Sequence, residues 1–355
     1  MLQMTRETKF LIYGATGYTG KLAARMAVEA GLKPILSGRN EAKLKELAEP
    51  LNLEHASVSL DDREGLEALL QKVAVVLHIA GPFSATAKPM VQACLNTGTH
   101  YLDITGEIQI FERHFRLNDT AKAKGIMIMS GVGFDVVPTD CLSAHLKSRL
   151  PDARHLILSI AASGGMSPGT AKTVVEGIGY GTVLRRDGNI VEMFGSLRGH
   201  ADFGRGDRDT VAVGWGDVST AYHTTAIPNI TVFFKSTGAL KMISGMGKGI
   251  KGILAKPWMQ RLFKRRIEKM VKGPDDAARS KGYSIIVGEV KNDEGKVMKS
   301  KLVTPEGYTL TCLCGLEIVK QVLEGNFKAG SCTPAGVYGA DFILQFDGVE
   351  RTDIE

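Results

Sequence analysis

The sequence predicts an α/β fold, with an N-terminal Rossmann-type doubly wound parallel sheet and a C-terminal α+β domain whose sheet is mainly antiparallel. In the first third of the chain, short apolar runs alternate with amphipathic helical patterns, which is typical of parallel strands joined by crossover helices. A glycine-rich turn at 14–20 connects the first strand to the first helix. From about residue 156 the strands lengthen, and glycine turns such as 293–295 separate them.

The first strand, 9–13, ends at a turn with the spacing G-x-x-G-x-x-G, and a segment of helical spacing, 21–27, follows. This order predicts a pyrophosphate site, because a tight turn brings the backbone close to the phosphates and the helix N-terminus offers N–H groups. A plain strand-to-helix turn is the alternative for this pattern taken alone. The candidate cofactor contacts here are Gly14, Thr16, Gly17, Tyr18, Thr19 and Gly20.

The second strand, 34–37, ends about 20 residues beyond the turn, where such folds meet the adenosine ribose. Arg39 stands there instead of an acidic residue. A cation with hydroxyl and amide neighbours suits a 2′-phosphate, so the sequence favours NADP(H) over NAD(H), although an arginine on a solvated loop is the alternative. The candidate contacts are Ser37, Arg39, Asn40 and Lys43.

The third strand, 56–60, ends at Asp61 and Asp62. We expect Asp61 near the adenine, although an N-cap for the helix 63–71 explains either carboxylate equally well. The fourth strand, 73–80, is apolar on both faces, as a central parallel strand should be. Ligands bind beyond the carboxyl ends of such strands, so the nicotinamide half should meet Ala80, Gly81, Pro82 and Phe83.

The fifth and sixth strands, 99–104 and 125–130, also end in glycine and polar residues. Three strand ends of this kind in succession predict a cleft over the bound cofactor. They add Asp103, Gly133 and Phe134 to the candidate cofactor contacts.

The second domain should contain the strands 156–162, 224–234, 283–290, 297–302 and 308–313. Thr333 as N-cap and Pro334 at the first helical position predict a last helix over 335–346 that returns to the first domain. The expected domains are therefore 1–150, 151–332 and 333–355.

A basic segment, 235–273, lies within the second domain. Between 235 and 272 it carries eleven Lys or Arg residues and one acid, Glu268, although the whole chain is only +6. Apolar residues, among them Trp258, are interleaved with these cations, which is typical of helices that lie on anionic membranes or bind acidic partners. The sequence leaves four roles open for this segment: a helix docked on its own domain, a lid over an acyl chain, a membrane contact, or a docking site for an acidic carrier protein. No motif nearby indicates nucleic-acid binding.

The 355 residues, 44% of them hydrophobic, suffice for two domains. Five cysteines, an odd number, indicate free thiols in a reducing compartment, and the eight histidines lack metal-ligand spacing, so no metal is expected. No leader or membrane-spanning run is evident, so we expect a cytoplasmic protein, with peripheral membrane association as an alternative. A homodimer is a further option.

The chain resembles the saccharopine dehydrogenase-like oxidoreductases, in the branch that includes trans-acting enoyl reductases. The resemblance extends over nearly the whole chain and implies a Rossmann domain, a second α+β domain and NADP(H). Its residues fall into short motifs: 14–20, 37–40, 80–83, 100–107, 133–135 with Pro138 and Asp140, 169–171, 307–308 and 333–335.

With NADPH bound, the expected reaction is hydride transfer to a lipid-like or carrier-bound enoyl substrate. The candidate catalytic residues are Tyr101, Asp135, Lys172 and Tyr308. None of the eight tyrosines has Lys four residues later, so the proton-transfer device of short-chain reductases is absent. A non-catalytic NADP(H)-binding sensor and a saccharopine-type imine reductase are the alternatives.

Overall fold

The computed structural model describes residues 6–163, 165–177, 182–193, 195, 197–238, 248–254 and 256–355. It divides into two compact units. The first comprises Met1–Val137 and Tyr308–Val337, and the second comprises Pro138–Gly307 and Tyr338–Glu355. The first boundary therefore lies before residue 150, and the chain re-enters the first unit at Tyr308 instead of residue 333.

Strands and helices are numbered along the chain within the described residues. The strands are β1 Phe10–Tyr13, β2 Ile35–Gly38, β3 His55–Ser57, β4 Val75–His78, β5 His100–Asp103, β6 Met127–Met129, β7 His155–Ala162, β8 Thr182–Arg186, β9 Asn189–Met193, β10 Arg198–Asp202, β11 Asp207–Ala212, β12 Asn229–Lys235, β13 Tyr283–Lys291, β14 Val297–Pro305, β15 Gly330–Cys332 and β16 Glu350–Ile354. The helices are α1 Tyr18–Glu29, α2 Glu41–Leu51, α3 Arg63–Leu70, α4 Phe83–Thr97, α5 Ile108–Phe115, α6 Asn118–Ala123, α7 Val137–Arg149, α8 Pro168–Gly177, α9 Asp217–Thr225, α10 Lys248–Leu254, α11 Pro257–Met270, α12 Asp276–Lys281, α13 Gly307–Leu323 and α14 Pro334–Tyr338.

The sheet of the first unit has the order β15-β6-β5-β4-β1-β2-β3, and its strands pair in parallel. This confirms the predicted doubly wound sheet, with β1 and β4 at its centre. Both central strands are buried along their whole length, because helices cover both faces of such a sheet. The carboxyl ends of β1, β4, β5 and β6 consequently lie along one edge, which is where a ligand binds.

The sheet of the second unit has the order β10-β11-β12-β7-β13-β14-β16, and in addition β8 pairs with β12 and β9 pairs with β8. Its pairs are antiparallel apart from β12 with β7, which confirms the mainly antiparallel prediction. The predicted glycine turn joins β13 to β14, with Gly295 at φ 88°.

The predicted strand 308–313 is wrong, because these residues form the start of helix α13. The apolar run continues to Val322 and is buried at helical spacing, and periodicity over six residues does not separate a buried strand from a buried helix. The predicted strand 224–234 also begins later, at Asn229, since Thr224 still belongs to α9.

The predicted helix 335–346 is interrupted. Thr333 accepts a hydrogen bond from the Gly336 N–H at 3.1 Å, as an N-cap does, but α14 ends at Tyr338. Gly339 follows with φ 85°, and the chain then forms a short 3₁₀ turn, Phe342–Gln345. β16 finally pairs with β14 of the second unit, so only the start of this tail belongs to the first unit.

The structure describes two helices of the basic segment, α10 and α11. Pro257 begins α11, and the first turn is where a helix tolerates proline. Two glycines of this segment, Gly249 and Gly252, lie in α10, while 239–247 lies outside the described residues. None of the described helices combines the length and apolar character that crossing a bilayer requires.

Candidate cofactor-binding site

The glycine turn after β1 is built by close backbone approach. Gly14 has φ 92°, a conformation that side chains disfavour, and its N–H donates to the Ser37 carbonyl oxygen at 2.8 Å. A Cβ on Gly14 would lie 2.8 Å from the Ala80 nitrogen. A Cβ on Gly20 would lie only 2.3 Å from the Gly14 oxygen. Glycine is therefore required at both positions for α1 and β4 to meet the turn.

The N-terminus of α1 lies at the glycine turn. Its N-cap residue, Gly17, has no side chain with which to cap the helix, and no acidic residue occupies the first turn. Backbone N–H groups at a helix N-terminus bind anions, and the helix dipole favours negative charge there. Thr16 and Tyr18 are half-buried beside these groups, and Thr19 is buried.

The end of β2 carries the predicted ribose-binding cation. Arg39 is exposed, and the next residue, Asn40, caps α2 by accepting the Lys43 N–H at 3.0 Å. Asn40 is thus already engaged, which sequence reasoning did not foresee, and the Lys43 side chain is exposed on the first turn of α2. Ser37 is fully buried, and its Oγ has no hydrogen-bond partner among the described residues, while its carbonyl oxygen holds the glycine turn.

The two carboxylates after β3 have different roles. Asp62 caps α3, accepting the Gly65 N–H at 3.0 Å, so Asp61 is not the cap. Burial raises the pKa of the Tyr13 hydroxyl to about 12, with Arg39 lowering it and Asp61 raising it. Arg39 and Asp61 therefore both lie within electrostatic range of the Tyr13 hydroxyl.

The segment 80–83 after β4 is held by the side chains of Thr86 and Glu107. Thr86 Oγ1 donates to the Ala80 carbonyl oxygen at 2.6 Å and also contacts His78 Nε2 at 3.1 Å. Glu107 accepts the Phe83 N–H at 2.8 Å, which ties the start of α4 to the loop after β5. No local motif identifies these contacts, because Glu107 and Phe83 are distant in the sequence.

Asp103 lies inside the sheet. One carboxylate oxygen accepts the Tyr101 and Ser130 hydroxyls at 2.7 and 2.9 Å, and the other accepts the Thr105 and Gly131 N–H groups at 3.0 and 3.1 Å. Burial raises its pKa to about 6, although these hydrogen bonds act in the opposite direction. Because Asp103 and Tyr101 are both fully buried, this network joins β5 to the loop after β6 and presents neither side chain to a ligand.

Asp135 follows β6 and is half-buried against Gly106. A Cβ on Gly106 would lie 2.8 Å from Asp135 Oδ2, so the loops after β5 and β6 meet here. Burial raises the pKa of the Asp135 carboxyl to about 7. The group can therefore hold a proton near neutral pH at the carboxyl edge of the sheet.

Helix α13 completes the site of the first unit. Tyr308 packs edge-on against Tyr18, with ring centroids 4.9 Å apart, which brings it to the N-terminus of α1. Thr311 accepts the Phe134 N–H at 3.0 Å, and a Cβ on Gly133 would lie 2.7 Å from Thr311 Cγ2. Sequence reasoning missed Thr311, because it assigned this segment to a strand of the other domain.

Lys172 lies on α8 of the second unit, so the contacts within the first unit do not include it. Four of the five cysteines are buried and all five are free thiols. Within the part of the chain that the structure describes, no group of three or more His, Cys, Asp or Glu side chains is placed to hold a metal.

The first unit fits a phosphorylated dinucleotide. The backbone of the glycine turn packs too closely to admit a Cβ at Gly14 or Gly20, α1 begins at this turn with no acidic residue in its first turn, and β2 ends in an exposed cation with no acidic residue in 35–40. These features suit, in that order, a pyrophosphate, its negative charge and a ribose 2′-phosphate.

Comparisons with known proteins identify the same region. Residues 10–129 match the model of the saccharopine dehydrogenase NADP-binding domain family. The first unit is therefore similar to the NADP-binding domain of this family over these residues, which confirms the resemblance and the cofactor predicted from the sequence.

Among curated relatives, a trans-acting enoyl reductase of Mycobacterium leprae is 34% identical over 157 residues, which are 42% of this chain and 38% of that protein. A saccharopine dehydrogenase-like oxidoreductase of Bos taurus is 24% identical over 219 residues, covering 54% of this chain and 51% of that protein. The matches thus span 38% and 51% of the lengths of these two relatives.

Among solved structures, the apo saccharopine dehydrogenase (L-Glu forming) of Saccharomyces cerevisiae aligns over 98% of this chain and 100% of its own with a TM-score of 0.66. At 11% identity this similarity shows the fold alone.

Proposed function

We propose that this chain is an NADPH-dependent oxidoreductase that reduces the C=C bond of a lipid-like or carrier-bound enoyl substrate. The observation that carries the proposal is the edge of the first sheet, which combines a dinucleotide cradle with a half-buried carboxyl group, Asp135, whose pKa burial raises to about 7. The choice of an enoyl substrate is supported by two relatives named trans-acting enoyl reductase, which are 34% identical to this chain over 157 and 147 residues.

The cradle residues have distinct tasks in the proposal. The N–H groups at the start of α1 bind the pyrophosphate, and Arg39 pairs with the 2′-phosphate. The segment 80–83, held by Thr86 and Glu107, forms the surface for the nicotinamide. These hydrogen bonds restrict its backbone without help from the cofactor, which reduces the conformational entropy to be lost on binding.

NADPH held by the start of α1 and Arg39 would supply a hydride for the β-carbon of the enoyl group. The electron pair of the C=C bond moves towards the carbonyl oxygen, and the α-carbon then takes a proton, so that the reaction consumes one proton. We assign the delivery of this proton to Asp135, because a carboxyl with a pKa near 7 is partly protonated at neutral pH. Tyr308, beside Tyr18, is the second candidate donor.

Tyr101 and Asp103 have a positioning role in this proposal. Their hydrogen bonds fix the loop after β6, from which Asp135 projects. Asp103 therefore acts through the loop that it anchors, without contact to the cofactor.

The assignment of Arg39 predicts selective loss of NADPH binding. Replacing Arg39 by Ala should weaken NADPH binding by about 1–3 kcal/mol, the range of a charge-assisted hydrogen bond, and leave NADH binding nearly unchanged. Lys45→Ala is the matched control, since Lys45 is an exposed cation on α2 that pairs with Glu49 at 3.6 Å. Equal losses for both cofactors in Arg39→Ala, measured by calorimetric titration, would remove the 2′-phosphate assignment.

The reaction itself is tested by NADPH oxidation with enoyl thioesters, cyclic imines and ketones as parallel substrates. The proposal expects turnover of enoyl thioesters and its loss in Asp135→Asn, with NADPH affinity retained. Turnover of imines alone would instead assign a saccharopine-type reaction. Tight NADPH binding without any turnover would assign a redox sensor.

A further inference from the structure

Helix α11 presents two apolar faces. Met259, Phe263 and Ile267 follow one another at four-residue spacing, so they share one face of the helix, and all three are half-buried. The helix packs against α8 within the second unit. The face formed by Met259, Phe263 and Ile267 therefore accounts for the docking of α11 on its own domain.

The other apolar face points outward. Trp258 and Leu262 are one helical turn apart, with 55% and 50% of their surfaces exposed. Arg261 and Arg265 flank them on one side, Arg266 flanks them on the other, and all three arginines are exposed. In the neighbouring helix α10, Ile253 is also 50% exposed.

This second face has apolar side chains along its centre and cations at both margins. A helix that lies in the plane of a membrane interface has the same arrangement on the face that contacts the lipid. A large exposed aromatic side chain loses contact with water only when a partner covers it. The sequence around it, 235–272, has eleven cations and the single acid Glu268, which selects an anionic partner.

We propose that the outer face of α11, defined here as Trp258, Arg261, Leu262, Arg265 and Arg266, binds an anionic lipid bilayer. Trp258 and Leu262 enter the boundary between headgroups and acyl chains, and the arginines bind lipid phosphates. An acidic protein is the less favoured partner. The apolar residues of this face form a narrow row with cations on both sides, and a bilayer offers acyl chains to such a row and anionic headgroups to the cations beside it. This proposal stands independently of the reaction proposed above.

The test is co-sedimentation of the whole chain with vesicles containing equal parts phosphatidylcholine and phosphatidylglycerol. We expect binding at low salt, a large decrease at high salt, and little binding to pure phosphatidylcholine. Trp258→Ala should reduce the partition coefficient by about tenfold. Each of Arg265→Gln and Arg266→Gln should reduce it by about fivefold.

Matched controls lie on the same unit. Arg186→Gln and Arg205→Gln remove exposed cations, and Met166→Ala removes a side chain that is 53% exposed, so none of these should change the partition coefficient. The chain has two tryptophans, and the fluorescence blue shift on vesicle addition should disappear in Trp258→Phe.

Three results would overturn the proposal. One is the absence of binding to the anionic vesicles, and another is an equal loss in the control variants. The third is binding to soluble polyglutamate without binding to vesicles, which would assign the face to an acidic protein.

Discussion

The glycine turn allows a graded test of the proposed cradle. In Gly20→Ala the new Cβ would lie 2.3 Å from the Gly14 oxygen and 2.7 Å from the Ala15 Cα. Ordinary contact needs about 3.5 Å, so α1 must move away from the turn by about 1 Å. Both obstructing atoms are backbone, and the Gly14 N–H is bound to the Ser37 carbonyl oxygen at 2.8 Å, so no side-chain rotation relieves the contact.

The expected cost of Gly20→Ala is that of an overpacked core, about 1–3 kcal/mol of unfolding free energy. For a unit of this size that corresponds to a decrease in Tm of about 3–10 °C. Displacement of α1 also moves its N–H groups, so NADPH affinity should decrease by about tenfold or more. Thermal denaturation with and without NADPH measures both effects.

Substitutions at two other glycines provide the comparison for the effects of Gly20→Ala on Tm and NADPH affinity. Gly38→Ala is the matched control, because its Cβ would meet nothing within 4 Å and the residue lies at the end of β2. Gly17→Ala should be intermediate, since its Cβ would lie 3.3 Å from the Gly14 oxygen and Ala is a poorer N-cap than Gly. If Gly38→Ala reduces Tm and NADPH affinity as much as Gly20→Ala, close packing of the turn is not what the site requires.

Two further predictions concern the loop after β6. If Asp135 must be protonated to act, the rate of reduction should decrease as the pH rises above about 7. Asp135→Asn should abolish this pH dependence and lower the rate by about 10²-fold or more, as measured by stopped flow from pH 5 to 9. An unchanged pH profile in the variant would exclude Asp135 as the donor. Thr311→Val removes the acceptor of the Phe134 N–H at 3.0 Å, so chemical denaturation should show a loss of about 1–3 kcal/mol, and an unaltered stability would show that α13 does not hold this loop.

The sequence predicted the parallel sheet and the glycine turn, because both depend on local patterns. The strand β4 is apolar on both faces, and the turn needs glycine at Gly14 and Gly20. The position of Arg39 followed from the same reasoning, since the distance along the chain from turn to ribose is nearly fixed in this type of fold.

The roles of the polar residues at the strand ends depended on long-range contacts. Asp103 and Tyr101 looked like ligand-binding residues, but their partners, Ser130 and Gly131, come from the next strand and enclose them. Asp61 and Asp62 were equivalent in sequence, and only the bond from the Gly65 N–H to Asp62 distinguishes them.

The amino-acid sequence by itself determined which segments form the nucleotide-binding sheet. It also determined that the preferred dinucleotide carries an additional phosphate, because both features depend on residues that are close together along the chain. Tertiary structure decided that 308–313 is helical and brings Tyr308 and Thr311 to the first unit, and that Asp135 is enclosed enough to hold a proton. The physical reason is that burial is set by neighbours distant in sequence, and burial determines both the form taken by an ambiguous apolar run and the pKa of a carboxyl group.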